Sequence, residues 1–96
     1  MFDLPMLTKA DVRNYSKFRK FLVRSGFIMM QESVYSKIAL NAAAAELVMK
    51  QVRFNKPPAG IVQMFMITEK QYSKIEYVVG DKKSDVIDSD ERLVFL

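Results

Sequence analysis

The chemistry open to this chain is limited to oxygen and cationic side chains, because the sequence contains neither histidine nor cysteine. Without histidine, the usual general base and the usual transition-metal ligand are missing. Without cysteine, thiolate nucleophiles, disulfides and zinc–thiolate sites are excluded. The carboxylates that remain suit hard cations, so any metal site is expected to hold Mg²⁺ through Asp or Glu oxygens.

Asp3 is the candidate carboxylate, since it ends an apparent strand in the opening stretch MFDLP. Mg²⁺ favours octahedral oxygen coordination, so a single Asp3 is not enough to hold it. A two-fold dimer that brings two Asp3 side chains together would supply a shared pair, and a nucleic-acid phosphate could complete the shell. Alternatively, Asp3 accepts backbone hydrogen bonds in the turn before the first helix. Both interpretations stay open at this point.

A row of cationic side chains lies on one side of the first predicted helix, which begins after Thr8 and ends at about Ser25. At about 100° per residue, the cationic side chains fall within roughly 80° of one another, and the apolar side chains gather elsewhere on the helix. The basic face, as we call it, consists of Lys9, Arg13, Lys17, Lys20 and Arg24, and the apolar residues are Tyr15, Phe18, Phe21 and Leu22.

The basic face has two interpretations. It is either an ordinary solvated surface, since Lys and Arg are good helix formers, or a binding surface for a row of phosphates. A surface that serves only solubility usually interleaves Glu with Lys to form i,i+4 pairs, and such acids are missing here. The pattern therefore favours phosphates, with Lys37 as a sixth candidate contact.

Length and composition indicate one folded domain. The chain has 96 residues, of which 50% are hydrophobic and 27% charged, and its net charge of +4 favours a polyanionic partner. No apolar run approaches the ~20 residues that a membrane span needs, and the N-terminus lacks the pattern of a secretory signal. We therefore expect a cytoplasmic protein with no membrane partner.

Periodicity, capping residues and turn residues predict the secondary structure. The predicted strands are 1–4, a pair within 26–40 that is divided at 31–33, 61–67 as a central strand buried on both faces, 76–79 and 92–96. The predicted helices are 8–25, 42–54, which starts after the cap Asn41 and buries Leu47, Val48 and Val52, and a short helix from Thr68 to about Ile75.

This order of elements predicts an α+β fold, a ferredoxin-like βαββαβ sandwich with a short extra helix and a C-terminal strand. Residues 1–80 would form the core domain and 81–91 a polar connector. The strand 92–96 must join a free sheet edge, either its own or that of a partner. Arg92, Leu93, Val94, Phe95 and Leu96 are therefore candidate partner-binding residues.

Several stretches resemble the CRISPR-associated Cas2 family, and above all its branch from loci that carry the Cas9 effector. They are MFDLP, KFRKFL, GFIMMQESVYSK, TEKQYSK and SDERLVFL, and together they span nearly the whole chain. The family usually has several apolar residues before the aspartate, whereas this chain has Met1 and Phe2 alone. Either the start has been trimmed or another segment completes the sheet.

The resemblance implies a homodimer held between two dimers of the Cas1 integrase during spacer acquisition, with its basic surface supporting a short duplex of foreign DNA. It also implies a second activity, since some members are Mg²⁺-dependent nucleases that act on RNA or double-stranded DNA through the aspartate matched by Asp3. Three function classes follow: a DNA-binding scaffold, which we favour, a metal-dependent nuclease, and a protein-binding module that uses residues 92–96.

Overall fold

A computed structural model of the chain describes residues 1–80 and 90–96. The fold is α+β, as predicted. The strands are β1 (Phe2–Asp3), β2 (Ile28–Gln31), β3 (Val34–Ala39), β4 (Ile61–Val62), β5 (Phe65–Thr68) and β6 (Arg92–Phe95), and the helices are α1 (Lys9–Arg24), α2 (Ala42–Phe54) and α3 (Glu69–Tyr72). Across these described ranges, no helix combines the length and apolar character needed to cross a membrane.

The helix starts form where the capping residues predict them. Thr8 and Asp11 make a reciprocal capping box at the start of α1, and Thr68 and Gln71 make another at α3. The Asn41 side chain accepts from the third residue of α2. The helix α3 ends at Tyr72, three residues earlier than predicted, and the following residues form turns.

The sheet differs from the prediction in residues 61–67. This apolar run forms two strands, because its first part pairs with β1 and its second part pairs with β6. The expectation of a central strand buried on both faces was wrong. In the four-stranded antiparallel sheet, whose order is β2-β3-β6-β5, β5 lies at an edge, and Phe65 is 43% exposed.

The predicted strand 76–79 does not form. These residues are irregular or bent, and Val78 and Val79 are almost fully exposed. Their β-branched composition favours a strand, but a strand also needs a neighbour to pair with. The predicted connector 81–91 lies for the most part outside the described residues.

The central position of the sheet is occupied by two segments placed end to end. Tyr35 of β3 exchanges two backbone hydrogen bonds with Leu96, and just before β3 begins the carbonyl of Ser33 accepts from the Phe2 amide at 3.2 Å. On the opposite side, β6 pairs with β5 and β1 pairs with β4. The line of the two-residue β1 is thus continued along β3 by β6, another segment of the same chain.

The two main helices cover one face of this sheet. Phe18 and Leu22 of α1, as predicted, and Val52 of α2 are buried there against Phe2 and Tyr35. Leu47 was predicted to join this core and does not, since it is 65% exposed. At about 100° per residue, Leu47 lies about 140° from Val52 around the helix, so both cannot face the sheet.

The opposite sheet face carries a smaller apolar cluster. Tyr72 of α3 packs there with Leu93 and Phe95, all three of them buried. Cross-strand pairing aligns Ile28, Ser36, Phe95 and Phe65 in one row over four strands. Ser36 and Phe95 in the middle of this row are buried, whereas Ile28 and Phe65 at its ends stay about half exposed.

Candidate nucleic-acid interface

All five residues of the basic face are exposed on α1. The helix packs Phe18 and Leu22 on the sheet, so its helical period turns the cationic side chains away from the core. From Lys9 to Arg24 the face extends for about 22 Å at 1.5 Å per residue. That length matches roughly six consecutive phosphates of one nucleic-acid strand.

Among the residues that the structure describes, no carboxylate pairs with this face. Asp11 is the sole acid of α1, and its side chain accepts from the amides of Leu7 at 3.2 Å and Thr8 at 3.1 Å as part of the capping box. Over residues 1–80 and 90–96, the one salt bridge joins Arg53 to Glu46 at 2.8 Å, on α2. The like charges of the basic face therefore repel one another, and no acid of the described ranges compensates them, as on a surface built to meet a polyanion.

Lys37 differs from the other five candidates. It is half-buried on β3, and its ammonium donates to the carbonyl of Ser25 at the end of α1. Gly26 follows with φ +92°, so the chain turns sharply there. The cation thus stabilises the carboxyl end of the helix. Its role as a phosphate contact stays a prediction.

Asp3 lies exposed at the end of β1, opposite Ile61. In the part of the chain that the structure describes, its carboxylate receives no hydrogen bond, so the expected role in the turn is not seen. Asp11 has that role instead. At the other end of β1, burial lowers the pKa of the Met1 amino group, which donates to the Gln63 carbonyl at 2.7 Å.

The described residues do not complete a metal site at Asp3. Within residues 1–80 and 90–96, no group of three Asp, Glu, His or Cys side chains is positioned to hold an ion. One carboxylate does not fit the octahedral preference of Mg²⁺. Beside Asp3, a metal site would require at least one further carboxylate, which a second copy could supply, together with phosphate oxygens.

Sequence reasoning missed Gly60, which sets the position of Asp3. A β-carbon at Gly60 would lie 2.6 Å from the Asp3 carbonyl oxygen and 2.7 Å from the Leu4 side chain. Gly60 also has φ +96°, which other residues rarely adopt. The sequence signal was the ending PPAG before a strand, but its contact with residues far upstream is not visible in the sequence.

The candidate partner-binding residues 92–96 lie inside the sheet of their own chain. Leu93, Val94 and Leu96 are completely buried, and β6 is paired on both sides, with β3 and with β5. The sequence left open whether this strand joins the sheet of its own chain or that of a partner. In the structure it joins the sheet of its own chain. A role of this segment in binding a partner stays a prediction, and such a partner would have to displace β3 or β5.

Comparison with known proteins identifies relatives along the whole chain. The family described as CRISPR associated protein Cas2 matches residues 1–75. A protein of Treponema denticola named CRISPR-associated endoribonuclease Cas2 is 50% identical over 95 residues, which cover 99% of this chain and 94% of the relative. Proteins of the same name from Lacticaseibacillus rhamnosus and Streptococcus mutans are 42% and 43% identical over 96 residues, covering 95% and 90% of those relatives.

Proposed function

Since this chain belongs to the CRISPR-associated Cas2 family, we propose that it is the DNA-binding scaffold subunit of CRISPR adaptation, which holds a short protospacer duplex between Cas1 integrase dimers. The observation that carries the proposal is the basic face of α1, where five exposed cations stand without a single ion-pair partner in the described part of the chain.

The proposed contacts are to phosphates and not to base edges. Lysine and arginine on one exposed helix face neutralise backbone charge and release condensed counterions, which gives affinity without sequence preference. The proposed contacts come from Lys9, Arg13, Lys17, Lys20 and Arg24. Lys37 would add to them through the ammonium donors that its bond to Ser25 leaves over. A scaffold that accepts foreign DNA of any sequence needs such contacts.

A homodimer forms part of the proposal. The sheet face away from α1 and α2 exposes Ile28 and Phe65 at the two ends of its cross-strand row. A second copy covering this face would bury these side chains and would leave the basic face on the outer side of each protomer. Sedimentation of the purified protein measures this directly, with a dimer expected for the wild type and dissociation expected for Phe65→Lys.

The second candidate function is hydrolysis of phosphodiester bonds in RNA or double-stranded DNA, with Asp3 as the catalytic carboxylate and Mg²⁺ as the cofactor. Two observations favour it: Asp3 is exposed with no hydrogen-bond partner within the described residues, and the relatives are named endoribonucleases. It requires the Asp3 side chains of two protomers to approach each other. The scaffold function has no such requirement.

One titration separates the two functions. Wild type and Asp3→Ala are titrated against labelled duplex DNA and single-stranded RNA with Mg²⁺, and binding and cleavage are measured on the same samples. Duplex binding that weakens with salt, equal in both proteins and without cleavage, supports the scaffold. Cleavage by wild type that is lost in Asp3→Ala supports the nuclease, and absence of salt-dependent duplex binding overturns the scaffold.

A further inference from the structure

A cleft lies beside the basic face, between α1 and the segment that follows α2. Its volume is about 190 Å³, the liquid volume of roughly six water molecules, which is small for an extended ligand but suits one planar ring. The side chains that matter for its chemistry are Asn14, Lys17, Phe21, Phe54, Asn55 and Lys56.

Phe54 is the unusual member of this set. It is the last residue of α2 and is 86% exposed, so its ring stands at the mouth of the cleft and not in the core. Phe21, across the cleft, is half-buried and packs on the main core, so it forms an apolar floor. An exposed aromatic ring above an apolar floor offers a flat ligand one face to stack on.

The charged side chains among the described lining residues are all cations. Lys17 and Lys56 contribute cations, Asn14 and Asn55 contribute amides, and none of the lining residues within 1–80 and 90–96 is a carboxylate. The Asn55 amide nitrogen donates to the Gln51 carbonyl at 2.9 Å, which anchors that side chain. Amides can pair with the edges of a base, and lysines can meet the phosphate that accompanies it.

Lys17 connects the cleft to the basic face, because it is a member of both. A strand whose phosphates follow α1 would therefore pass the mouth of the cleft. We propose that the cleft binds one unpaired nucleotide of such a strand, with its base stacked on Phe54 and its phosphate held by Lys17 and Lys56. The inference rests on the proposed nucleic-acid binding and adds a preference for duplexes with a single-stranded end.

The test compares dissociation constants for a short blunt duplex, for the same duplex with an unpaired thymidine tail, and for the single-stranded tail alone, in buffer without Mg²⁺. Wild type should bind the tailed duplex about 5- to 100-fold more tightly than the blunt one, the range for one stacked base. Phe54→Leu should lose this gain and Phe54→Tyr should keep it, because leucine keeps the apolar volume and tyrosine keeps the aromatic face. Leu47→Ala, on the same helix and also exposed, is the matched control and should change nothing.

The outcomes distinguish the stacking site in the cleft from the proposed scaffold function. If the tail gives no gain, or if Phe54→Leu keeps the gain, the stacking site is overturned, and the second result would indicate an apolar surface for a protein partner. If the blunt duplex fails to bind while the single strand binds in a Phe54-dependent manner, the scaffold is overturned and the cleft is supported. Failure of all three probes overturns both. Thermal unfolding of each variant verifies that it is folded.

Discussion

Gly60 approaches the main chain of Asp3 so closely that a β-carbon there would lie 2.6 Å from the Asp3 carbonyl oxygen. The side chain of any other residue would push the segment after α2 away from the end of β1. We predict that Gly60→Ala lowers the free energy of unfolding by about 2–5 kcal/mol, combining backbone strain at positive φ with a steric clash. Urea denaturation measures this change.

The control for that substitution is Gly80→Ala. Gly80 has nearly the same backbone conformation, with φ +99°, but a β-carbon there meets nothing within 4 Å. It should therefore cost only the backbone term, about 1–2 kcal/mol. Equal losses in the two variants would show that the contact with Asp3 is unimportant.

The basic face should determine the salt dependence of DNA binding. Each phosphate contact contributes about 0.9 to the slope of log K against log salt. Arg13→Gln combined with Lys20→Gln should reduce that slope by about two and weaken binding equally for duplexes of different sequence. Lys50→Gln with Lys70→Gln removes the same charge from α2 and α3 and should leave the slope nearly unchanged. A slope that responds equally to both pairs would assign binding to net charge alone.

Asp3 should make stability depend on the divalent cation if two protomers share a metal. Two close carboxylates repel each other, so the ion would stabilise the dimer that brings them together. Wild type should then melt at a higher temperature with Mg²⁺ than without it, and Asp3→Ala should show no such difference. Glu76→Gln, an exposed acid elsewhere in the chain, is the control. If Asp3→Ala matches wild type in both conditions, the metal site does not exist.

Truncation of Phe2 should destabilise the fold, whereas truncation of Phe54 should leave its stability nearly unchanged. Phe2 is buried, with its ring 5.4 Å from Phe18 in an edge-on contact and 5.8 Å from Tyr35 in a stacked one. Phe2→Ala should therefore lower the free energy of unfolding by about 3–5 kcal/mol. Phe54→Ala should change it by less than about 0.5 kcal/mol, because that ring is exposed. A large loss at Phe54 would indicate a structural role.

Removal of residues 92–96 should unfold the subunit. Without β6, β3 and β5 lose their pairing partner, and the burial of Leu93, Val94 and Leu96 is lost. The loss exceeds the few kcal/mol of a single substitution and approaches the total stability of a domain of this size, about 5–15 kcal/mol. Circular dichroism should show no cooperative transition. A cooperatively folded truncated protein would mean that β6 is an accessory strand.

The sequence predicted best the features that depend on neighbours in the chain. The capping boxes at Thr8 and Thr68 involve residues three positions apart, and the basic face follows from the helical period alone. The division of 61–67 and the loss of strand 76–79 depend on which distant segment pairs with them, and no local pattern contains that information. Asp3 was identified from its type and position, whereas its contact with Gly60 depends on the folded chain.

Phe54 shows a second limit of prediction from sequence. The helix period placed Leu47 and Phe54 on the same side of α2, about 140–160° from Val52, and a projection of the helix would have separated them from the core. A helical projection does not show what lies next to that side of α2, which at Phe54 is the cleft beside α1. Its chemistry emerges only when two helices and the segment after α2 are brought together.

The end-to-end arrangement of β1 and β6 also sets the order of events during synthesis. β1 leaves the ribosome well before β6, the segment that continues it along β3, because α1, α2, α3 and the strands β2 to β5 lie between them in the chain. Such contacts between distant residues are slow to form, because the chain loses loop-closure entropy before the strand pairing stabilises it. The helix that carries the basic face therefore gains its full sheet support last, and a growing chain would be prone to misfolding until then.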